Sequence, residues 1–194
     1  MTKSIDFYFD FISPYSYLAH KKLEKITKKI KIDINYKPIL LGGLHNLAEI
    51  TPPAFNERKM KNMRNDCELI AKKNSIEFKW NDKFPINSLY LMRGYLVVEK
   101  LLRNKFFNVC FDAYWKNNID ILNDKNLQII LKNCSIDKNV FLESIRSLKT
   151  KDKLKELTSD AFKKDIFGAP TFVVNNKIFW GQDRLDYALD EYNF

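Results

Sequence analysis

Two serines three residues apart, Ser13 and Ser16 of the run Ser-Pro-Tyr-Ser, are the first residues whose types and spacing suggest chemistry. Serine favours the N-cap of a helix and proline favours its first turn, so the run by itself is typical of a helix start. The free N–H groups and the positive dipole end of such a start also favour negative charge, including a thiolate. We interpret Ser16 as the capping-box partner of Ser13, which leaves Ser13 as the stronger candidate for chemistry.

Cysteine and histidine, the other reactive or metal-binding residue types, show no functional spacing in this chain. Cys67, Cys110 and Cys134 are far apart, which argues against a disulfide framework, a CxxC pair and a zinc knuckle. We expect them to be reduced structural thiols. His20 and His45 are the only histidines and form no cluster, so we predict no metal site.

The elements around Ser13 are predicted to form a β-α-β unit. Residues 4–10 are rich in Ile, Phe and Tyr, and residues 31–36 alternate strictly, so both stretches are typical of strands. Between them, leucine and isoleucine recur at near-helical spacing from Ser13 to about Ile30. Because a helix joins the two strands, we expect them to be parallel.

The last part of the chain predicts an antiparallel hairpin followed by a helix. Residues 170–174 and 177–180 are strand-like, and Asn175-Asn176 between them is typical of a tight turn. The last helix is predicted from about Asp183 to Tyr192.

A β-α-β start and a β-β-α end are the two halves of a thioredoxin-like domain, and the residues between them read mostly as helix. The strongest helical stretches are 56–74, 88–117, 126–133, 137–148 and 151–167. We therefore predict an α/β chain with a thioredoxin-like fold and a large all-helical insertion. Residues 1–40 and 166–194 would form the thioredoxin-like domain and residues 41–165 the insertion, with a ligand groove where the two halves meet.

Composition and charge limit the classes of function. A length of 194 residues with 45% hydrophobic and 29% charged residues fits one globular domain, or one that carries a large insertion. No stretch approaches the roughly 20 apolar residues of a membrane helix, and the first residues lack a signal-peptide core, so we predict a cytoplasmic protein with no membrane partner. The net charge of +9 is scattered and no base-reading motif accompanies it. We predict no nucleic-acid partner and, at most, a preference for anionic ligands.

Motifs along the whole chain carry a resemblance to a known enzyme family. Residues 5–18, with the sequence Ile-Asp-Phe-Tyr-Phe-Asp-Phe-Ile-Ser-Pro-Tyr-Ser-Tyr-Leu, and residues 167–172 and 180–184 are the most specific. Softer motifs are residues 51–59, 84–88 and 113–115. Together they resemble 2-hydroxychromene-2-carboxylate isomerases, to which kappa-class glutathione transferases are related. The resemblance implies a DsbA-like fold in which serines replace the usual redox cysteines.

The resemblance implies glutathione as the cofactor and Ser13 as the catalytic residue. In the family, the serine that Ser13 matches hydrogen-bonds the glutathione sulfur and helps to hold it as the thiolate. Each unit by which the pKa of a thiol falls below about 8.5 requires about 1.4 kcal/mol of preferential thiolate stabilisation. Ala169-Pro170 resembles a cis-proline loop whose backbone pairs with the cysteinyl part of the ligand. The alternative for Pro170 is a proline at the start of a strand.

Three more residues are assigned to glutathione by the same resemblance. Gln182 and Asp183 would hold the γ-glutamyl end, with the Asp183 carboxylate facing the ammonium group, and Lys59 matches a lysine that contacts glutathione in kappa relatives. The alternatives are a helix N-cap for Asp183 and a surface lysine for Lys59. The chain departs from the family before Pro52, where residues 49–51 are Glu-Ile-Thr in place of a Gly-Asn pair. We expect glutathione to be held more weakly, or in a different arrangement, at that point.

Asn87, Arg93 and Trp115 match family positions near the junction of the insertion and the small domain, and we predict that they contact the substrate. The alternatives are a core position for Trp115 and an ion pair within its helix for Arg93.

The resemblance leads to the hypothesis of a glutathione-dependent isomerase. Its partner would be a small aromatic or electrophilic carboxylate, to which the thiolate adds reversibly so that a double bond can rotate. One alternative is a kappa-class-like glutathione S-transferase, and another is a glutathione- or peptide-binding module without turnover. A dithiol oxidoreductase is disfavoured because Ser13 and Ser16 lack sulfur. By similarity to relatives, we also expect a homodimer.

Overall fold

The computed structural model describes residues 3–193, which form one mixed sheet with helices packed against it. The four strands are β1 (Ile5–Phe9), β2 (Ile34–Pro38), β3 (Thr171–Val174) and β4 (Lys177–Trp180). Their order in the sheet is β2-β1-β3-β4. Strand β1 is parallel to β2 and antiparallel to β3, which is itself antiparallel to β4. The predicted β-α-β unit and hairpin are therefore both present.

Helices account for most of the remaining described residues. They are α1 (Pro14–Thr27), α2 (Leu41–Leu47), α3 (Glu57–Lys73), α4 (Leu89–Val97), α5 (Lys100–Trp115), α6 (Asp124–Asn133), α7 (Lys138–Arg146), α8 (Leu148–Phe162) and α9 (Leu185–Asn193). Single 3₁₀ turns precede α3 and α9, at Pro53–Phe55 and Gln182–Arg184. Among the residues described between β2 and β3, every regular element is helical, so the predicted fold of a thioredoxin-like sheet with a helical insertion is confirmed.

Two helix predictions differ from the structure. The predicted helix over 88–117 is interrupted, because Val98 and Glu99 are extended, with ψ values of 134° and 143°. Helix α2 was not predicted, since Gly42 and Gly43 within it are poor helix formers. The domain division at residues 40 and 166 stays a prediction, and residues 1, 2 and 194 of its ranges lie outside the described part of the chain.

An aromatic cluster joins the sheet to the insertion. Phe9 of β1 and Phe11 just beyond it are at most 1% exposed, and they pack on Phe107 and Phe111 of α5. The Phe9 and Phe107 ring centroids are 4.7 Å apart in an edge-to-face arrangement. Burial of each such ring contributes about 1.5–3 kcal/mol, so the insertion is part of the core that fixes β1 and the residues after it.

The cysteines are free and buried, as expected for structural thiols. Burial raises the pKa of both Cys67 and Cys110, which disfavours their reactive thiolate forms. Within residues 3–193, no group of three or more His, Cys, Asp and Glu side chains is placed to hold a metal ion. None of the helices described there is long and apolar enough to cross a bilayer.

Candidate active site

Ser13 connects the first half of the sheet to the second. Its Oγ accepts a hydrogen bond from the Ser16 N–H at 3.1 Å, and Pro14 occupies the first helical position, so the predicted cap of α1 is confirmed. The same hydroxyl donates to the Ala169 carbonyl at 2.9 Å. Ser13 is only 3% exposed. One hydroxyl therefore holds the start of α1 against the loop before β3.

The loop before β3 has the conformation that the sequence resemblance implies. The Ala169–Pro170 peptide bond is cis. The Thr171 hydroxyl donates to the Gly168 carbonyl at 2.7 Å, and the Pro170 carbonyl accepts from the Gly181 N–H at 2.9 Å. A Cβ on Gly168 would lie 2.5 Å from the indole nitrogen of Trp180, so a larger residue there would require the indole to move. The loop is thus fixed on both sides of Ala169.

The capping-box interpretation of Ser16 is wrong. In a capping box its side chain would accept the Ser13 N–H, but that N–H donates to the Asp10 carbonyl at 3.0 Å. The Ser16 Oγ is fully buried and hydrogen-bonds to none of the described residues. Only the backbone N–H of Ser16 takes part in the cap.

A cavity of about 700 Å³ opens beside Ser13 and Ala169. Apolar side chains form most of its wall, among them Ile12, Leu41, Ile50, Phe84, Phe167 and Trp180. None of the described residues that line it is acidic, whereas Lys59 and His45 contribute a cation and an imidazole. Such a cavity suits an apolar or aromatic molecule that carries a negative charge.

Asp10 was not among the predicted site residues. It lies buried behind this wall. Its carboxylate accepts hydrogen bonds from the Ile12 N–H at 3.1 Å and the Leu41 N–H at 2.8 Å, and the side chain of Ser88 also favours its charged form. Burial raises its pKa to about 6, against the opposing effect of these hydrogen bonds. The carboxylate joins three segments that line the cavity. The sequence signal that could have indicated this residue is an acid placed between two phenylalanines, in the run Phe-Asp-Phe of residues 9–11.

His45 was also not among the predicted site residues. The sequence indicated only that it belongs to no metal-binding cluster. It lies on α2, is half-buried and lines the cavity. Burial lowers the pKa of its imidazole below the ordinary value of 6.5, so the ring is neutral at pH 7. The sequence around His45 has no motif that could have indicated this position.

Similarity to known proteins identifies the family of this chain. Residues 4–193 match the family described as the DSBA-like thioredoxin domain. A 2-hydroxychromene-2-carboxylate isomerase from Sphingobium xenophagum is 32% identical over 194 residues, which cover 96% of each chain. The chain belongs to this isomerase family.

Further relatives of the family match over nearly the same length. Glutathione S-transferase kappa 1 from Homo sapiens is 24% identical and covers 96% of this chain and 89% of its own. A solved structure of a 2-hydroxychromene-2-carboxylate isomerase superposes with a TM-score of 0.88 at 24% identity, over 97% of this chain and 94% of that one. The superposition supports the assigned fold.

The predicted substrate residues are divided between the cavity and the core. Asn87 lines the cavity, and its Oδ1 accepts from the Leu89 N–H at 3.0 Å. Trp115 is fully buried and donates its indole N–H to the Phe11 carbonyl at 2.8 Å, so it is a core residue outside the cavity. Arg93 also lies outside the cavity lining, and its Nε is buried without a partner among the described residues. The structure therefore does not bring Trp115 or Arg93 to the cavity.

The residues predicted to hold glutathione occupy two places. Lys59 is exposed in the first turn of α3 and lines the cavity together with Ser13 and Ala169. Gln182 is buried and accepts from the Lys22 ammonium group at 2.8 Å. Asp183 is 59% exposed, and its carboxylate lies 3.5 Å from the Arg184 guanidinium. These last two follow β4 and are not among the residues that line the cavity.

Proposed function

We propose that this chain is a glutathione-dependent isomerase that acts on 2-hydroxychromene-2-carboxylate or a similar conjugated aromatic acid. The observation that carries the proposal is the Ser13 hydroxyl, which is buried at the first turn of α1 and bonded to Ala169. It lies beside a cavity with no acid among its described lining residues. When bound, glutathione supplies a thiolate that adds reversibly to the conjugated system of the acid. The protein has to favour the ionised sulfur and orient both molecules.

The start of α1 is suited to hold a thiolate. The Ser13 Oγ–H is a donor that can turn from the Ala169 carbonyl to an anion, while its lone pair keeps the cap on the Ser16 N–H. A hydrogen bond to a charged group contributes about 1.5–3 kcal/mol and the helix terminus about 0.3–1 kcal/mol. Since one pKa unit corresponds to about 1.4 kcal/mol, the two together lower a thiol pKa by about one to three units.

The charged ends of glutathione have candidate partners in Lys59, which lines the cavity, and in Gln182 and Asp183, which follow β4. Lys59 would pair with the glycyl carboxylate, and the exposed carboxylate of Asp183 would face the ammonium group with Gln182 beside it. Ile50 and Thr51 line the cavity where the family has its Gly-Asn pair, so the contact of that amide is replaced by apolar surface and a hydroxyl. We expect glutathione affinity to depend more on Lys59 for this reason.

The size and the apolar wall of the cavity are compatible with an aromatic acid. Its volume of about 700 Å³ is in the range for small-molecule sites of about 300–1,000 Å³. Apolar walls would contact the aromatic ring. Because none of the described lining residues is acidic, no negative charge among them would repel the carboxylate. Asn87 at the rim offers an amide to the same group.

The alternative function is conjugation of glutathione to electrophiles, as in kappa-class glutathione transferases. The similarity to a human member over 96% of the chain favours it, since the same activated thiolate would serve both reactions. Product analysis separates the two, because an isomerase returns free glutathione and a transferase consumes it.

Titration of the purified protein with glutathione at neutral pH, followed by ultraviolet thiolate absorbance, tests the proposal. Ser13→Ala should abolish thiolate formation, whereas Ser16→Ala should leave it unchanged, because the Ser16 hydroxyl has no hydrogen-bond partner among the described residues. Saturable thiolate formation in the wild type, with turnover of the chromene acid, is the expected result. Binding without thiolate would indicate a non-catalytic module, and no binding would refute the proposal.

A further inference from the structure

Isomerisation of a 2-hydroxychromene-2-carboxylate requires a proton transfer that Ser13 does not provide. Carbon 2 of such an acid carries a hydroxyl, a ring oxygen and the carboxylate, so it is a cyclic hemiketal, and the ring holds its double bond fixed. Rotation can follow only after the ring C–O bond breaks. The hydroxyl then loses a proton as its carbonyl forms, and the departing phenoxide oxygen gains one. A group that accepts and donates a proton near neutral pH accelerates this step.

Most protic side chains around the cavity are unsuited to this transfer. The Tyr15 hydroxyl donates to Asp66 at 2.8 Å, and burial raises its pKa far above neutrality. The Ser88 side chain is buried and interacts with Asp10, whose pKa it lowers. Lys59 carries an ammonium group, which has no lone pair with which to accept a proton.

His45 differs from these groups in having a free lone pair. It lines the same cavity as Ser13, and no hydrogen bond between described residues involves its ring. Burial lowers its pKa and no charged neighbour offsets the effect, so the neutral base is the form present at pH 7. An imidazole that has accepted a proton can donate it again, so the same ring can return the proton.

The charged and titratable groups near His45 leave its ring available. Lys59 of α3 lines the same cavity, and Asp10 hydrogen-bonds to the Leu41 N–H at the start of α2. Helix α8 packs against α2, and its Asp160 pairs with Lys163 at 3.4 Å. None of these groups contributes to the pKa shift of His45, whose cause is burial.

We propose that His45 is the proton-transfer residue for opening of the chromene ring. This inference rests on the proposed function. The imidazole takes the proton of the carbon 2 hydroxyl as the O–H electrons form the carbonyl and the ring C–O bond breaks. It then gives that proton to the phenoxide oxygen that leaves carbon 2. The step is redox-neutral and exchanges no net proton, and it frees the double bond to rotate at the thiolate held by Ser13.

His45→Gln tests the proposal, with Asn46→Ala as a matched control, since Asn46 is the next residue of α2 and also lines the cavity. The kcat for the chromene acid should fall about 100-fold in His45→Gln, in the range for loss of a general base. The wild-type rate should also fall as the pH drops below 6.5, and this decline should be reduced in the variant. Added imidazole should restore part of the rate.

Two readouts separate proton transfer from a structural role. Thiolate formation with glutathione and conjugation of glutathione to an aryl halide need no ring opening, so both should be unchanged in His45→Gln. An unchanged kcat and pH profile in the variant, or a parallel loss in all three assays, would overturn the role of His45 while leaving the proposed function intact. Absence of thiolate and turnover in the wild type would overturn the proposed function and this inference together.

Discussion

The buried carboxyl of Asp10 makes the free energy of unfolding depend on pH. The substitution Asp10→Asn removes this contribution. The side chain is fully buried, and its pKa rises from 3.8 to about 6 on folding. The folded state therefore binds the Asp10 proton more tightly than the unfolded state does. The corresponding stabilisation is fully present below about pH 3.8 and is lost as the pH rises through 6.

The size of the effect follows from the two pKa values. A difference of about two units at 1.36 kcal/mol each gives about 3 kcal/mol of unfolding free energy, of which about 2–3 kcal/mol appears between pH 4 and pH 7. Asp10→Asn has no such titration. Its amide oxygen can still accept one of the two N–H groups, from Ile12 or Leu41, and the cost of the other is the same at every pH.

Urea unfolding of wild type and Asp10→Asn, followed by tryptophan fluorescence, measures the difference at each pH. The wild type should gain about 2–3 kcal/mol relative to the variant between pH 7 and pH 4. Burial lowers the pKa of His20 to about 4, which costs stability as the pH falls below 6.5, but this effect is shared and cancels. A free-energy gap that stays constant across this range would refute the reasoning.

Two further predictions concern the cavity rim and the helix packing. Lys59→Gln should raise the dissociation constant of glutathione about threefold, because an exposed ion pair contributes roughly 0.6 kcal/mol. Lys61→Gln on the same helix should leave this constant unchanged. Isothermal titration measures both. Gly94→Ala should lower the unfolding free energy by about 1–2 kcal/mol, because its Cβ would lie 2.6 Å from Phe141. Gly42→Ala meets no atom within 4 Å and should stabilise the fold in thermal melts, and the reverse order would contradict this packing.

Local patterns were sufficient to predict the sheet and the helix cap. The alternation around β1 and β2 and the Asn175-Asn176 turn have local causes, and both asparagines adopt the positive φ values, 49° and 63°, that such a turn needs. Ser13-Pro14 likewise specifies a helix start within a few residues. The break at Val98 and Glu99 has no comparable signal, since neither residue is a glycine or a proline.

The candidate site was less predictable because burial and proximity are properties of the folded chain. Tryptophan is common both in ligand pockets and in hydrophobic cores, so the residue type of Trp115 does not distinguish the two. The hydrogen bond from its indole N–H to the Phe11 carbonyl shows that it is a core residue. His45 is a candidate because it lines the cavity, and Asp10 is a candidate because its carboxylate joins three segments of the cavity wall. Their spacing in the sequence carries no sign of either arrangement.

The hydrogen bond between Ser13 and Ala169 joins residues 156 positions apart, which determines when the site can exist during synthesis. At about 5–20 residues per second, Ala169 leaves the ribosome roughly 10–30 s after Ser13. Until then, the edge of β1 that later pairs with β3 is open and could bind a strand of another nascent chain. The helices of the insertion are made in this interval, and they can cover Phe9 and Phe11 before the second half of the sheet arrives.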